Sequence, residues 1–414
     1  MTKKKSMWIV GAVATLAIIV LAIVLFLPKQ ISMADNPRAH LPKHPPHTDH
    51  TVTALKGPFE SGHEVTQACL ECHPEAGDQM LHSSHFTWEH GPYDVEGHDE
   101  PVYTGKKHVI NNFCIGITPN WPPCTACHAG YGWSDETFDF TEPTNVDCLV
   151  CHDTTGSYIK KNSGYPADGL DLASIAQQVG IPSRENCGGC HFNGGGGDAV
   201  KHGDLDTTLT HPKDDLDVHM GRYDFVCVDC HRTEDHEIGG RSISVSLDDE
   251  NQIACTDCHL ETPHQDDRIN VHTANVACQT CHIPEFARKK STKVEWDWSK
   301  AGQDIPQDPH EYLKIKGEFV YEDNVVPDYT WYNGGVEDRY ILGDIIDPAK
   351  VTVINQPAGN IDDPTAKIWP FKVHHAKQIY DTEYNYLLPP KTYGEGGYWT
   401  NFEWDEAARL GAEA

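Results

Sequence analysis

Hydrophobic residues are unevenly distributed along this 414-residue chain, and the longest apolar run lies at its N-terminus. Three lysines, Lys3–Lys5, precede an uncharged segment of 21 residues from Met7 to Leu27. A run of this length is sufficient for a membrane-spanning helix and is long for the core of a signal peptide. Because the positive charges come first, residues 1–28 predict an anchor with a cytoplasmic start and an extracytoplasmic body. The triplet Ser32-Met33-Ala34 leaves signal cleavage as the alternative.

Residues 29–57 show no apolar periodicity and are rich in proline and histidine, which is typical of a linker. His40, His44, His47 and His50 have side chains that can bind metal, but a solvated linker explains them more simply.

Regular elements are hard to find between residues 58 and 282, because Gly, Pro, Asp and Asn interrupt the segment throughout. Leu172–Val179 predicts one helix, and Gly180 predicts its end. This segment has too few clusters of aliphatic residues to form an ordinary hydrophobic core. Another apolar group must therefore fill its interior.

Residues 283–414 contain no cysteine but carry six of the ten tryptophans. Aromatic residues at this density favour packing against a cofactor edge or in a second small core. The last segment, Phe402–Ala414, has a helix-like pattern.

The sequence Cys-x-x-Cys-His occurs seven times and is the attachment signature of c-type haem. The two thiols bind the porphyrin, and the histidine that follows is the proximal iron ligand. A redox dithiol or half of a zinc site explains one copy, but neither needs a histidine after every second cysteine. The seven motifs are Cys69, Cys72 and His73; Cys124, Cys127 and His128; Cys148, Cys151 and His152; Cys187, Cys190 and His191; Cys227, Cys230 and His231; Cys255, Cys258 and His259; and Cys278, Cys281 and His282.

These motifs predict seven covalent haems, which would supply the missing apolar interior. We therefore expect a mainly α fold with much irregular structure, a multihaem cytochrome c fold wrapped around a packed haem core, and a helical C-terminal part. The domains would be residues 1–28, the linker 29–57, the multihaem region 58–282 and the haem-free region 283–414. Covalent haem attachment outside the cytoplasm agrees with an extracytoplasmic, periplasmic protein anchored by its N-terminal helix.

The net charge of -30 argues against a nucleic-acid partner. It favours a positively charged redox partner, for which we expect a cytochrome or a quinol-linked donor, although a solvated acidic surface explains the charge almost as well.

A low-spin haem needs a second axial ligand, and 26 histidines are far more than seven motifs use. A histidine taken singly is more simply a surface or hydrogen-bonded residue, but the number present favours histidine on both sides of the iron. The candidates for distal ligands are His85, His202, His219, His236, His264, His272 and His374.

Two further features could distinguish one haem from the rest. Cys114 is the single cysteine outside the motifs, ten residues before Cys124, and is either a buried inert thiol or a group over that iron. The segment Gly194–Asp204 begins with four glycines that permit close approach of a flat ligand, or form a flexible turn, and it contains Lys201. A lysine made neutral by burial can bind iron or donate a proton.

From about Leu55 onward the chain resembles the octahaem tetrathionate reductase family of multihaem c-type cytochromes. The phrases that carry this resemblance are Leu55–Phe59, Asn111–Cys114, Cys148–Gly156, Gly194–Asp204, Val276–Phe286, Trp296–Ser299 and Lys391–Trp399. The resemblance implies an active-site haem on Cys124, Cys127 and His128, with Lys201 as the unusual ligand and Cys114 beside it. It implies histidine on both sides of the other irons.

The family carries an eighth haem motif near its C-terminus, whereas this sequence has seven. A fragment, a frameshifted product and a seven-haem variant are all compatible with this difference. The resemblance implies a reductase of small anionic or nitrogen-oxide substrates, namely tetrathionate, nitrite or hydroxylamine. The alternative, from a different class, is a membrane-tethered electron conduit with no substrate of its own.

Overall fold

The computed structural model describes residues 15–20, 41, 43, 44, 47–110, 115–247 and 251–414. Contacts divide the chain into Met1–Lys43 and His44–Ala414. In the first unit residues 15–20 are helical, and the rest of the predicted anchor lies outside the described residues. Among the helices that the structure describes, none is both long enough and apolar enough to cross a membrane.

The second unit contains short helices separated by long irregular segments. Its α-helices are α1 Gly62–Leu70, α2 Pro74–His82, α3 Ser84–Thr87, α4 Trp121–Cys124, α5 Leu149–His152, α6 Leu172–Ala176, α7 Arg184–His191, α8 Cys227–Cys230, α9 Asp267–His272, α10 Cys278–His282, α11 Tyr398–Asn401 and α12 Trp404–Glu413. Val218–Arg222 is a π-helical turn, and the 3₁₀ turns are Thr53–Leu55, Thr118–Asn120, Thr125–Cys127, Pro143–Asn145, Asn162–Gly164, Thr207–Leu209, Cys255–Asp257 and Trp298–Lys300.

Every Cys-x-x-Cys-His motif lies on or beside a helical turn. The fourth motif occupies the end of α7, which begins with a reciprocal capping box between Ser183 and Asn186. The fifth and seventh motifs form α8 and α10. A helical turn puts residues i and i+3 on one side, so both cysteines of a motif can reach the same ligand.

The predicted helix at Leu172–Val179 is present but ends at Ala176, before Gly180. Asp171 caps its first turn by accepting a hydrogen bond from the Ser174 backbone N–H. Beyond Ala176, Val179 forms a β-bridge with Asp153, and this pairing replaces the last helical turn.

The strands are short, and most lie in the C-terminal region. They are β1 His90–Tyr93, β2 Val102–Thr104, β3 Thr233–Glu234, β4 Glu237–Ile238, β5 Thr292–Asp297, β6 Tyr312–Leu313, β7 Gly317–Glu322, β8 Asp328–Tyr332, β9 Val336–Arg339, β10 Asn355–Pro357, β11 Lys367–Phe371 and β12 His375–Lys377. One four-stranded sheet has the order β12-β5-β7-β6, and β8 with β11 and β9 with β10 form antiparallel pairs.

The C-terminal region therefore departs from the predicted fold. Helix accounts for 29% of the structure and strand for 16%, so the expectation of a mainly α chain with a helical C-terminal part is not confirmed. Residues of β7 alternate between buried and exposed, which is the period-two pattern of a strand. The predicted terminal helix is present as α12.

Buried hydrophobic residues form four small clusters in the described part of the chain. One surrounds Leu149 and Ile175, a second Trp296 and Trp298, a third Tyr340 and a fourth Trp88, Ile117 and Trp133. A chain with one ordinary core would usually show a single contiguous cluster. The division is compatible with large apolar groups between the clusters.

Candidate functional site

Three motif histidines face a second imidazole across a short gap. The ring centroids of His191 and His85 are 6.0 Å apart, those of His259 and His219 are 6.0 Å apart, and those of His282 and His264 are 6.1 Å apart. A metal lies about 2 Å from an imidazole nitrogen, so two imidazoles on opposite sides of one metal have centroids about 6 Å apart. These pairs therefore have the spacing that two axial ligands of one iron require.

A fourth pair joins the first motif to the linker. The ring of His50 lies 6.4 Å from that of His73, at an angle of 32°. His44, also in the linker, contacts Asp229 Oδ1 through Nε2 at 2.9 Å. Sequence reasoning missed His50 because neighbouring prolines and histidines favour a solvated segment. The excess of histidine over motifs was the available signal.

His152 and His231 are oriented through Nδ1. His152 Nδ1 lies 2.7 Å from the Gly180 carbonyl, and His231 Nδ1 lies 2.8 Å from the Gly239 carbonyl. A hydrogen bond from Nδ1 fixes the tautomer and leaves Nε2 available to a metal. Burial, followed by the charge of His152, lowers the pKa of His236. His236 therefore lies near the third motif.

The remaining predicted distal ligands differ in their surroundings. Burial, followed by the charges of Lys201 and Lys372, lowers the pKa of His202 to about 3. Burial, followed by the charges of Lys372 and His202, lowers the pKa of His374 to about 2. Both imidazoles are thus neutral near pH 7, in the form that binds a metal. His272 is exposed at the end of α9.

The seven motifs are connected to one another by side-chain contacts. The thiols of neighbouring motifs lie close enough to affect each other's pKa. This relates the first motif to the third, the second to the fourth, the fourth to the fifth and the sixth to the seventh, through the pairs Cys69–Cys148, Cys127–Cys190, Cys187–Cys227 and Cys255–Cys278. Asn186 of the fourth motif's helix donates to Val150 O of the third, and Arg232, next to His231, donates to Cys258 Sγ at 3.8 Å. The motifs therefore form one continuous series.

The surroundings of the second motif are different. His128 is fully buried, and its ring contacts five aromatic rings, those of Phe86, Trp88, Trp133, Phe138 and Phe140. Its Nε2 lies 2.6 Å from the Phe86 carbonyl, while its buried Nδ1 has no hydrogen-bond partner among the described residues. Binding a metal through Nε2 would require that carbonyl contact to break.

A buried ion pair fixes the backbone beside His128. Lys160 Nζ donates to the carbonyls of His128 and Gly130 at 2.5 and 3.1 Å and lies 2.7 Å from Asp147 Oδ2. Tyr131 and Tyr158 donate their hydroxyls to the same carboxylate at 2.9 and 3.0 Å. This network ties the second motif to the segment that begins the third.

Lys201 is buried, with 7% of its surface exposed, in a region of concentrated positive charge. Burial, followed by the charges of Lys106 and Arg339, lowers the pKa of Lys201 to about 7. The charge of Lys106 also acts on the thiols of Cys124 and Cys127. The charges of Lys106 and Lys201 also act on His191 of the fourth motif. Lys106 thus lies near the second and the fourth motif, and Lys201 lies near Lys106 and the fourth motif. Neither Lys106 nor Arg339 could be assigned from the sequence, because their proximity arises only in the fold.

The loop that carries Lys201 is held by several contacts. Lys372 Nζ donates to the carbonyls of Val200 and Lys201, both at 3.1 Å, and the Thr292 hydroxyl donates to the Ala199 carbonyl at 2.7 Å. Gly195 and Gly196 have φ values of 81° and 94°, which favour glycine. The four-glycine run is thus part of an ordered turn.

Two acidic residues of this loop have partners of their own. Asp198 forms an ion pair with Lys290, and Asp204 accepts a hydrogen bond from the Arg288 backbone N–H at 2.9 Å. Cys114, the predicted neighbour of Lys201, lies outside the described residues.

The imidazole pairs fit haem c at the first, fourth, sixth and seventh motifs. There the motif cysteines would hold the porphyrin, and the paired histidines would bind its iron. At the second motif the thiols are available. His128 Nε2, however, would have to leave the Phe86 carbonyl before it could bind iron.

Comparisons with known proteins agree with this arrangement. The crystal structure of octaheme cytochrome c from Shewanella oneidensis is similar to 89% of this chain and 84% of that chain, with a TM-score of 0.82 and 50% sequence identity. The chain belongs to the octahaem tetrathionate reductase family of multihaem c-type cytochromes. Haem c is therefore its cofactor, and its relationship to a bacterial multihaem cytochrome is consistent with an extracytoplasmic location.

Two other matches cover less of the chain. A family model described as "Cytochrome c bacterial" matches residues 293–414. A protein of Archaeoglobus fulgidus described as uncharacterized is 24% identical over 235 residues, which are 44% of this chain and 77% of that protein. The family-model match covers most of the region that has no haem motif, so this region also resembles a bacterial cytochrome c in sequence.

Proposed function

We propose that this chain is a reductase that carries seven haems and reduces a small oxyanion or nitrogen oxide at its second haem. Tetrathionate, nitrite and hydroxylamine are the proposed substrates. Tetrathionate would accept two electrons, its central S–S bond would break, and two thiosulfates would leave. No proton is consumed in that step.

The observation that carries this proposal is the buried Lys201 in a group of cations that includes Lys106, whose charge acts on the second motif. Lys106, Lys201 and Arg339 concentrate positive charge inside a protein whose net charge is -30. Such a group is costly in a low-dielectric interior unless an anion balances it. An anionic substrate would do so while it is bound.

The lowered pKa of Lys201 supports two roles near neutral pH. At a pKa of about 7 the ammonium and the free amine are both populated. The amine can occupy a metal coordination position and leave it when substrate arrives, and the ammonium can hold an anion or donate a proton to a nitrogen oxide. Bound haem would supply the electrons and the iron that receives substrate.

The other residues of the site would position and shield the reacting groups. The five rings around His128 exclude water, and Lys160 fixes the adjacent backbone. As the family resemblance implies, Cys114 would hold the sulfur of a bound substrate. The paired histidines elsewhere would hold haems that transfer electrons, with His202, His236, His272 and His374 as further distal ligands.

Partners and location follow from the same proposal. Electrons would come from a cytochrome or a quinol-linked donor with a positively charged docking face, attracted by the acidic surface. The apolar N-terminal segment would anchor the protein in the cytoplasmic membrane, with the haem region in the periplasm.

The test is turnover with reduced viologen and each substrate. Replacing Lys201 by Ala should lower kcat/KM about a hundredfold or more, since it removes both the ligand and the proton donor. Lys293→Ala is the matched control, because Lys293 is also buried and its pKa is also about 7. Full activity of Lys201→Ala would contradict the role of Lys201.

The second candidate is an electron conduit with no substrate of its own, which the four imidazole pairs favour. Its signature is an entirely low-spin absorption spectrum that added nitrite does not change. A haem whose spectrum responds to nitrite would support the reductase instead.

A further inference from the structure

Arg339 is a buried cation whose hydrogen-bonding groups are all unused. It lies at the end of β9 with 6% of its surface exposed. Nε, Nη1 and Nη2 are each buried without a hydrogen-bond partner in the part of the chain that the structure describes. Burial lowers its pKa to about 10, so it remains charged at neutral pH. Buried charges in proteins are normally paired, so this guanidinium indicates an anion.

Another buried arginine shows the usual arrangement. Arg184 is 9% exposed and donates to the carbonyls of Phe225, Thr210 and Met220 and to Asp224 Oδ1. Its protein partners satisfy the guanidinium. Arg241 and Arg288 also have buried nitrogens without a partner, but each donates through another nitrogen, whereas Arg339 donates through none among the described residues.

The position of Arg339 favours a ligand of limited size. It lines a cavity of about 270 Å³ together with Tyr93, Asp94, Val95, Glu96, Leu247, Val336 and Glu337. The three carboxylates of this lining are exposed, and the described residues contain no ion pair between them and Arg339. The charge of Arg339 reaches Lys201 and contributes to its lowered pKa.

We propose that Arg339 binds an oxyanion at this cavity through its planar fork of N–H donors. Where the bound oxyanion is the substrate, this proposal rests on the proposed function. A guanidinium matches two oxygens of one carboxylate or sulfur oxyanion, a geometry that a lysine cannot reproduce. The same chemistry has two sources, the oxyanion substrate and the propionate of a bound haem. The acidic rim lowers the local concentration of free anions, which is why the tethered propionate must be tested.

The experiment compares Arg339→Gln and Arg339→Lys in the haem-loaded protein. Arg268→Gln is the control, because the Arg268 side chain is 84% exposed and its pair with Asp266 is long, at 3.8 Å. Three measurements are made: KM for tetrathionate and nitrite against uncharged hydroxylamine, haem midpoint potentials by spectropotentiometry, and sulfate binding by calorimetry.

If Arg339 binds substrate, Arg339→Gln should raise KM for the two anions about tenfold or more and abolish competing sulfate binding. KM for hydroxylamine and all potentials should stay unchanged. If Arg339 binds a propionate, one haem potential should fall, because a positive charge near that haem is lost, and the three KM values should change together. Arg339→Lys should restore part of either effect, since it keeps the charge without the fork.

The inference is overturned if Arg339→Gln matches Arg268→Gln in all three measurements. If Arg339→Gln loses haem or does not fold, Arg339→Lys is compared with wild type, and equal KM values, potentials and sulfate affinity overturn the inference. A wild-type protein that reduces none of the substrates would contradict the proposed function. The potentials and sulfate binding would still decide the role of Arg339.

Discussion

The first, fourth, sixth and seventh motifs differ from the second in what faces their histidine. In those four, another imidazole lies 6.0 to 6.4 Å away. His128 of the second motif contacts five aromatic rings and, within the described residues, no second imidazole. A pair of histidines fills both axial positions of an iron, which suits electron transfer. The second motif is instead close to the charge of Lys106, which suits the binding of an anion.

The largest expected change comes from removing one imidazole of a pair. Replacing His50 by Ala should leave one coordination position open opposite His73. The first haem should then become high-spin and bind carbon monoxide, which absorption and electron paramagnetic resonance spectra would detect. His310→Ala is the control, because His310 is exposed and its ring contacts Tyr321 and, among the described residues, no motif histidine. If the two variants have the same spectrum, the His50–His73 pair does not hold the first haem.

The anchoring of the second motif can be tested through Lys160. Lys160→Met should cost about 3–5 kcal/mol of unfolding free energy, since it leaves Asp147 buried without its cation. Chemical denaturation would measure this change. Lys161→Met is the adjacent control and should cost less than about 1 kcal/mol, because its ion pair with Asp168 is exposed. Equal losses would show that the buried pair contributes no special stability.

A pH-dependent effect should come from Lys293, which lies outside the second motif. Burial, followed by the charges of Lys316 and Lys372, lowers its pKa from 10.5 to about 7. Between these values the unfolded chain binds a proton that the folded protein does not, so this group makes stability rise with pH. Lys293→Met should therefore be most stabilised relative to wild type below pH 7, and its advantage should shrink as pH approaches 10.5.

Thermal unfolding across this pH range would measure the effect, with exposed Lys300→Met as the control. A difference between Lys293→Met and wild type that does not vary with pH would mean that Lys293 is charged in the folded protein. A lowered pKa would then distinguish Lys201 from the buried Lys293.

Local chemistry was readable from the sequence, whereas relations between distant segments were not. Cys-x-x-Cys-His predicts haem c because the spacing alone carries the chemistry, and the family comparison supports that cofactor. The helix at Leu172 was also predictable from its local pattern, apart from its last turn. Strand β7 was missed although it alternates, because its aromatic residues were assigned to haem packing.

The cation group shows why the rest could not be predicted. Lys106 and Lys201 are 95 residues apart in the sequence and Lys201 and Arg339 are 138 apart, and no local pattern relates them. Their proximity depends on the loop after α7, on Lys372 and on the β9–β10 pair. His50 was missed for the same reason, since its distance from His73 depends on how the linker folds back.

The continuous contacts between motifs have a consequence for reactions that need several electrons. Carriers in contact can be filled one after another by a single-electron donor before any substrate arrives. Under the proposed function, electrons stored on several haems would pass to a bound substrate in quick succession. Donor encounters and product formation would thereby be separated in time, so a slow supply of electrons would not force the release of reactive intermediates.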